Sequence, residues 1–269
     1  MPHKGTPSML TPFSEMAADV YNVTNCVPSD LHGWKRITES TSSLPHNDNF
    51  FASAYRFKNT DLVAIAYRGT RPKSVHDWVV ADLAGIGMSL GSRAMYIQSA
   101  LDIAHYWKSQ SKSKMVWLVG HSLGGAYVQI VAALLNLWGV TFNAPGVLHL
   151  VNHYSGHPFT KVVGATASPV AQALQPFLLQ FQDCGLMDFM NQVAAADDDM
   201  PFAPVANYRG QNDPVSLIGV HVGAPMQTLR VDGLPHSMAP IVHALGGQVY
   251  SPQQETAAPA RSSRLNISA

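Results

Sequence analysis

Short apolar runs separated by turn residues dominate the middle of the chain. Residues 50–57 (FFASAYRF) and 62–67 (LVAIAY) are rich in aromatic and aliphatic side chains, and residues 59–61 (NTD) separate them. This pattern predicts a β-hairpin or two adjacent strands. Residues 115–119 (MVWLV) are entirely apolar, which is typical of a strand buried on both faces of a parallel sheet.

The chain after that run alternates between turn, helix and strand. A glycine-rich turn covers residues 120–125, a helix is predicted over 126–138, and Gly139 is the expected end of that helix. Residues 140–143 then form another segment typical of a strand. Strand, glycine turn, helix and strand in this order indicate an α/β sheet with helical crossovers. The sequence therefore predicts an α/β fold with a mostly parallel central sheet flanked by helices.

The remaining periodic segments extend this sheet. Residues 13–22 place apolar side chains on one face of a helix, and residues 77–107 have a mostly helical pattern interrupted by glycines. Two late strands are expected at about 214–222 and 227–231, and a last helix at about 237–245.

One domain, residues 13–250, accounts for all of these elements. Residues 1–12 are rich in Pro, Ser and Thr and are expected to be a flexible N-terminus, and the polar residues 251–269 are expected to be a disordered tail. Residues 153–206 form a long helical insertion with two amphipathic segments. The pattern fits either helices packed on the sheet or a lid over an apolar pocket, and both interpretations stay open.

The composition of the chain excludes several classes of function. The 269 residues are 46% hydrophobic and 13% charged, and Lys plus Arg equals Asp plus Glu at 17 each. Such a composition excludes disorder of the whole chain, and a net charge of zero provides no basic field for nucleic acid or for an anionic membrane. The cysteines, Cys26 and Cys184, are too few for a disulfide framework, and two free thiols are favoured over one bridge.

The hydropathy pattern also bears on location. No window reaches the roughly 18–20 apolar residues that span a bilayer, and residues 1–20 lack the apolar core of a cleavable signal peptide. We therefore expect no transmembrane segment and a soluble protein made in the cytoplasm. Export would then follow a route without a cleavable signal, as for an effector aimed at the membranes of another cell.

The strongest chemical signal is the segment GHSLGG at residues 120–125. A G-x-S-x-G motif marks a nucleophile when a buried strand precedes the serine and a helix follows it, because the sharp turn exposes the hydroxyl. Both elements are predicted here. The alternative, a glycine-rich phosphate turn, would need the spacing of G-x-G-x-x-G or G-x-x-x-x-G-K-[ST], which this segment lacks. Ser122 is therefore the candidate nucleophile.

A serine nucleophile needs a base and an orienting carboxylate, which follow it in the order serine, acid, histidine on such sheets. Asp213 precedes an apolar run at the expected sheet edge and is the favoured acid. His236 is the favoured base because it lies on a loop that can approach Ser122, and His243 is the second choice. His221 has valine on both sides within an apparent strand and is predicted to be a packed histidine or one at the strand edge. The other candidate acids are Asp183, Asp188, Asp197, Asp198, Asp199 and Asp232.

The oxyanion of an acyl-transfer reaction needs two hydrogen-bond donors. The main-chain N–H of Leu123, directly after the serine, is the first candidate. The loop after an earlier strand, residues 66–70 (AYRGT), is expected to supply the second.

With these residues in place, the sequence resembles the class 3 lipase family, which comprises lipases of the fungal triacylglycerol type and their bacterial relatives. The matching segments run in family order and are residues 67–70 (YRGT), 77–78 (DW), 82–83 (DL), 120–125 (GHSLGG), 141–146 (TFNAPG) and 212–215 (NDPV).

The resemblance implies an α/β-hydrolase fold, an ester substrate and a catalytic triad of Ser122, Asp213 and His236. It also implies that Thr70 supplies the second oxyanion donor. Two features depart from the family pattern. Asn143 stands where many members have glycine, and the acid and base are 23 residues apart, closer than in the fungal enzymes.

Two further patterns are weaker. His149, His153 and His157 are spaced by four, as metal ligands on one helix would be, but surrounding prolines and glycines disfavour a helix and no nearby carboxylate completes a site. Ser109 and Lys112 match S-x-x-K without the K-T-G and S-D-N partners of that enzyme class, which favours a solvated loop. We expect no metal and no cofactor.

Together these residues predict a serine esterase that hydrolyses carboxylic esters of lipids, a lipase or phospholipase, through an acyl-enzyme intermediate. The expected partner is a lipid or acyl-ester substrate, free or at a membrane or micelle surface, and no nucleic acid. Two alternatives stay open: an acyltransferase or thioesterase with the same triad, and a lipid-binding or interaction module on an inactive hydrolase fold. Head group, acyl chain length and oligomeric state are not determined by the sequence.

Overall fold

The structure is a computed structural model of the chain. It describes residues 9–22, 30–37, 50–69, 90–112, 115–148, 150–151 and 205–249. The predicted insertion up to residue 204, the tail 251–269 and residues 1–8 lie outside these ranges.

A seven-stranded sheet forms the centre of the described part of the chain, and its strands lie side by side in chain order. The first three strands pair antiparallel and all later pairs are parallel. The predicted α/β fold with a mostly parallel sheet is thus confirmed. The strands are β1 Trp34–Arg36, β2 Ala52–Phe57, β3 Val63–Tyr67, β4 Val116–His121, β5 Trp138–Phe142, β6 Val205–Gly210 and β7 Gln227–Leu229.

Four helices cover the two faces of this sheet within the described residues: α1 Thr11–Asp19, α2 Leu90–Gln110, α3 Leu123–Leu135 and α4 Met238–Ala244. Side chains of a strand alternate between its faces. On β4, Val116 and Leu118 therefore pack with α2 and α3, whereas Trp117 and Val119 pack with α1 and α4. A strand with apolar residues at both sets of positions is buried on both sides, as the MVWLV run predicted.

The parallel strands β3 to β6 place their carboxyl ends at one edge of the sheet. In the register of the central strands, Tyr67 lies opposite Gly120, and His121 lies opposite Phe142. The residues that follow these strands therefore meet above the same edge, as ligand-binding loops do in open α/β sheets.

Three details of the predicted elements are wrong. Residues 214–222 do not form a strand: Val215–Leu217 is a single 3₁₀ turn, and the chain after it lies along residues 146–148 through separate hydrogen bonds. Helix α3 ends at Asn136, whose left-handed backbone (φ 49°) closes it, and Gly139 belongs to β5. The predicted insertion overlaps β6, because residues 205–206 are already in that strand.

The N-terminal helix begins inside the segment predicted to be flexible, because α1 starts at Thr11. Its first turn is tied to the other end of the domain: the Thr11 hydroxyl donates to the carbonyl of Leu245, and Glu15 accepts from the main-chain N–H of Gln248. Across the described ranges, no helix combines the length and apolar content needed to cross a bilayer.

Candidate active site

Ser122 occupies the sharp turn between β4 and α3. Its backbone has φ 58° and ψ −128°, a conformation that non-glycine residues rarely adopt and that marks a strained turn. The flanking glycines are required by close approach: a Cβ at Gly120 would collide with the backbone of Gly124, and a Cβ at Gly124 would collide with the carbonyl of Tyr67. The motif therefore has the geometry that its sequence predicts.

The hydroxyl of Ser122 is hydrogen-bonded to the imidazole of His236, with 2.9 Å between Oγ and Nε2. On the other side of the ring, 2.7 Å separates Nδ1 of His236 from Oδ1 of Asp213. A carboxylate only accepts, so Nδ1 carries the proton and Nε2 is left to accept from the serine. Three residues predicted from the sequence thus form one continuous hydrogen-bonded chain.

Asp213 is held rigidly at the end of β6. Its side chain is fully buried, and its second oxygen, Oδ2, accepts the main-chain N–H of Ser216 at 2.8 Å. The main-chain N–H of Asp213 donates to the carbonyl of Gly210, the last residue of the strand. These bonds fix the carboxylate in the orientation that reaches His236.

The ring of His121 packs 4.9 Å from that of His236, between centroids. Burial and, to a smaller extent, the neighbouring His236 together lower the pKa of His121 to about 3, so His121 is neutral near pH 7. A neutral neighbour is favourable because a second positive charge would oppose protonation of His236. The motif made His121 visible in the sequence, but its spacing gave no sign of this contact.

The structure describes one of the two expected oxyanion donors, Leu123. Leu123 begins α3, so its main-chain N–H belongs to a helix N-terminus, where partial positive charge favours an anion. Thr70 lies outside the described residues. The residue before it, Gly69, approaches Ser122 closely: a Cβ there would contact Tyr21, the carbonyl of His121 and Cβ of Ser122.

The other histidines named from the sequence lie elsewhere. His243 is exposed on α4, and His221 is half-buried with Nε2 donating to the carbonyl of Ala144 at 2.8 Å. Burial lowers the pKa of His221. His221 is thus packed as predicted, although it lies in a loop rather than a strand.

The weaker patterns gain no support. His149, His153 and His157 lie outside the described residues, and the described part of the chain holds no group of three or more potential metal ligands. Ser109 is exposed and its hydroxyl donates back to the carbonyl of Tyr106.

A cavity of about 730 Å³ opens beside Ser122 and His236. Its walls come from α1, the loop after β6 and the loop that leads into α4, and they are mostly apolar. The apolar lining residues are Ala18, Pro214, Leu234, Pro235, Met238, Ala239 and Val249. A mostly apolar space beside the Ser122 hydroxyl suits the acyl chain of an ester more than a charged ligand.

Comparison with known proteins identifies the family of the chain. Residues 13–175 match the Tle-like phospholipase domain, a phospholipase-like family. The match covers more than half of the chain, and the chain belongs to this family. The description of this family as phospholipase-like agrees with the lipase resemblance of the sequence. The matched segment contains Ser122, whereas Asp213 and His236 lie after it.

Individual relatives are more distant. Over 53 residues the chain is 42% identical to ATG15 of Eremothecium gossypii, a candidate lipase, but this match spans 20% of the chain and 10% of that protein. Lip2 lipase of Yarrowia lipolytica is 11% identical, with 86% of this chain and 81% of that chain covered and a TM-score of 0.47. A triacylglycerol lipase of Penicillium expansum is 16% identical over 51% of this chain and 60% of that chain, with a TM-score of 0.34.

Proposed function

We propose that this protein is a serine esterase that hydrolyses carboxylic esters of lipids through a Ser122–His236–Asp213 triad. The observation that carries the proposal is the hydrogen-bonded chain from Ser122 Oγ through His236 to Asp213, at 2.9 and 2.7 Å, on a strained strand-to-helix turn. These three residues come from three separate loops. A purely structural hydrogen bond would not require the backbone strain at Ser122.

In the first half of the reaction, Ser122 Oγ attacks the carbonyl carbon of the ester and its proton passes to Nε2 of His236. Asp213 stabilises the imidazolium that results. The tetrahedral intermediate then collapses, the bond to the leaving alcohol breaks, and the proton on Nε2 passes to the alcohol oxygen. The acyl group remains as an ester on Ser122.

The second half repeats these steps with water. His236 removes a proton from a water molecule, the hydroxide attacks the acyl carbonyl, and the proton returns from Nε2 to Ser122 Oγ as the carboxylic acid leaves. In both halves the main-chain N–H groups of Leu123 and Thr70 donate to the oxyanion. The N-terminus of α3 lies behind this position and adds a favourable dipole.

The walls of the cavity support a lipid ester as the substrate. Apolar side chains such as Leu234 and Met238 surround the space next to Ser122, and Leu234 is itself 73% exposed at its mouth. Burying an acyl chain there gains about 25 cal/mol for each Å² of apolar surface removed from water. This favours lipid esters, free or presented by a membrane or micelle, over small polar esters.

The proposal is tested by labelling with a fluorophosphonate, which reports an activated serine without a choice of substrate. We expect one adduct, on Ser122, located by peptide mass. It should disappear in His236→Ala and persist in His243→Ala, because His243 is exposed on α4. Hydrolysis of a series of acyl esters should be lost in Ser122→Ala.

Folding of each variant is checked by circular dichroism and thermal unfolding. Full esterase activity in folded Ser122→Ala would overturn the proposed nucleophile. Loss of labelling in His243→Ala but not in His236→Ala would overturn the proposed base. A folded wild-type protein that neither labels nor hydrolyses any ester, with or without detergent, would favour the lipid-binding module.

A further inference from the structure

Two successive carbonyl groups of the loop that carries His236 accept hydrogen bonds from buried side chains of the sheet. Nδ2 of Asn143 donates to the carbonyl of Pro235 at 3.0 Å, and Nε2 of His121 donates to the carbonyl of His236 at 2.9 Å. His121 ends β4, and Asn143 directly follows β5, the adjacent strand. We call this pair of donors the carbonyl clamp.

Asn143 joins the loops of both histidine and acid. Its Oδ1 accepts the main-chain N–H of Gly210 at 2.7 Å, two residues before the Asn212–Asp213 segment, while its Nδ2 holds Pro235. A carbonyl only accepts and an N–H only donates, so these partners fix the orientation of the amide. The side chain is fully buried, and its backbone is left-handed at φ 49°. Glycine would satisfy that φ without making either bond.

His121 is fixed by the same reasoning. Its Nε2 must carry the proton given to the carbonyl of His236, so Nδ1 accepts, and the hydroxyl of Tyr21 donates to it at 3.0 Å. The oxygen of Tyr21 in turn accepts the main-chain N–H of Gly69 at 3.1 Å. The clamp is therefore connected to the loop that leads to Thr70.

The loop needs such support because it has little packing of its own. Asp232, Gly233 and Leu234 are exposed, and residues 230–237 lie in neither a helix nor a strand. A displacement of about 1 Å in a catalytic group costs up to about 100-fold in rate. The ring of His236 must keep its distance to Ser122 while it gains and loses a proton.

We propose that Asn143 and His121 are positioning residues that hold the backbone of the base during both proton transfers. This inference rests on the proposed triad. It assigns a role to the side chain by which this sequence departs from the glycine of many class 3 lipases. The hydrogen bonds that Asn143 and His121 make to this loop end on its main-chain carbonyls, so each acts through the placement of His236.

The test uses two esters of the same acid, one with an alkyl and one with a p-nitrophenyl leaving group. An alkoxide must receive a proton from His236 to leave, whereas p-nitrophenolate does not, so a misplaced ring slows the alkyl ester more. We expect Asn143→Gly to lower kcat/KM, which reports the acylation step, on the alkyl ester by about tenfold or more. The p-nitrophenyl ester should lose clearly less, and KM should change little on both.

Asn143→Asp separates the two bonds of Asn143, because aspartate still accepts from Gly210 but cannot donate to Pro235. It should therefore behave like Asn143→Gly. The matched control is Asn207→Asp: Asn207 is also a buried asparagine that donates to two carbonyls, those of Val222 and Ala224, but it does not contact the His236 loop. This control should lose stability while the ratio of alkyl to aryl rates stays unchanged.

A second pair of variants keeps the test decisive if changes at Asn143 prevent folding. His121→Gln retains an N–H donor of similar reach, whereas His121→Leu does not, so the alkyl-to-aryl ratio should fall in His121→Leu and recover in part in His121→Gln. An unchanged ratio in folded Asn143 and His121 variants, or the same fall in Asn207→Asp, overturns the clamp. Ser122→Ala in the same assay distinguishes the two proposals, because activity retained there overturns the triad itself.

Discussion

Asp213 and His236 are joined by a 2.7 Å hydrogen bond, although a 3₁₀ turn, β7 and an exposed loop separate them along the chain. The aspartate is buried, whereas the histidine side chain retains 14% exposure. The buried end therefore orients the ring, and the exposed end faces the cavity beside Ser122.

Replacing Asp213 by asparagine should remove most of the activity without unfolding the protein. Asparagine can still accept from the main-chain N–H of Ser216, but its amide cannot hold His236 with the proton on Nδ1. We expect kcat to fall by about 10³–10⁴-fold with an unchanged unfolding midpoint, as the loss of the correct tautomer requires. Steady-state kinetics and thermal unfolding measure the two quantities.

Ser216→Ala is the control for that variant. It removes only the weaker bond from the Ser216 hydroxyl to the carbonyl of Asp213 and keeps the main-chain donor. Activity within a few-fold of wild type is expected. A loss as large as that of Asp213→Asn would show that the turn, and not the carboxylate, is essential.

Gly124→Ala should destabilise the protein, although alanine normally stabilises a helix relative to glycine by about 0.5–1 kcal/mol. The added Cβ would collide with the carbonyl of Tyr67, which belongs to the buried strand β3. We expect a loss of about 2 kcal/mol or more in the free energy of unfolding. Urea denaturation beside Ala133→Gly, which lowers helix propensity and removes a small packing contact at a half-buried position of the same helix, checks the sign. A gain in stability for Gly124→Ala would contradict the close approach.

The ion pair between Asp19 and Arg36 should be important for the placement of α1. Arg36 donates from Nε to Asp19 at 3.0 Å and from its guanidinium to the carbonyls of Asp19 and Asn22, and the Tyr55 hydroxyl donates to the same carboxylate at 2.7 Å. Asp19→Ala leaves a buried cation without its carboxylate, at a cost of about 3–5 kcal/mol. Tyr55→Phe removes one hydrogen bond and should cost about 1 kcal/mol.

The losses in the free energy of unfolding caused by Asp19→Ala and Tyr55→Phe are measured by urea denaturation at neutral pH. Gln98→Ala is the surface control, because the Gln98–Asp102 bond on α2 is exposed and should contribute within about 0.5 kcal/mol. Equal losses of stability in Asp19→Ala and Gln98→Ala would contradict the burial of the Asp19–Arg36 ion pair.

His121 should make stability depend on pH. Its pKa is about 3 in the folded protein, against 6.5 for an ordinary histidine. Between these pKa values the unfolded chain binds a proton at residue 121 that the folded protein does not bind. The free energy of unfolding therefore falls as the pH drops from about 6.5 toward 3. At pH 5 the loss attributable to His121 should be about 2 kcal/mol relative to pH 8.

The comparison of wild type with His121→Gln isolates this contribution, because glutamine does not titrate and other groups cancel. Unfolding free energies at pH 8 and pH 5 should therefore differ less in the variant. An equal pH dependence in both proteins would mean that His121 accepts a proton in the folded state.

Leu234→Ser should alter substrate preference rather than chemistry. Leu234 lines the cavity and is mostly exposed at its mouth, about 73%, so an acyl chain that reaches it would bury part of its surface. We expect kcat/KM to fall for long-chain esters and to change little for acetyl and butyryl esters. A uniform fall across chain lengths would place the acyl chain elsewhere.

The convergence of Ser122, Asp213 and His236 was predictable because chain order and sheet topology constrain which loops can meet. Strand β6 was not predicted from the sequence, and it shows the limit of hydropathy patterns. Asn207 interrupts its apolar character, and only the structure shows that Thr141 and two carbonyls satisfy this buried amide. Strand assignment from sequence counts apolar positions and cannot see such partners.

The opposite error occurred at 214–222, where an apolar run does not form a strand. Leu217, Ile218 and Val220 are exposed there, and Pro214 begins a 3₁₀ turn instead. The hydrogen bonds of His121 and Asn143 to the His236 loop could not be predicted from the sequence either, because their partners are 115 and 92 residues away. Hydrogen bonds over such separations follow from the assembled sheet alone.

The strand order of the sheet has a consequence for synthesis. Neighbouring strands are also successive along the chain within the described residues, so each strand leaving the ribosome meets an edge that its predecessor has already formed. Within the described residues, His236 follows the last strand, β7. A chain that ends before residue 236 would therefore contain the Ser122 turn but lack the histidine that we propose as its base.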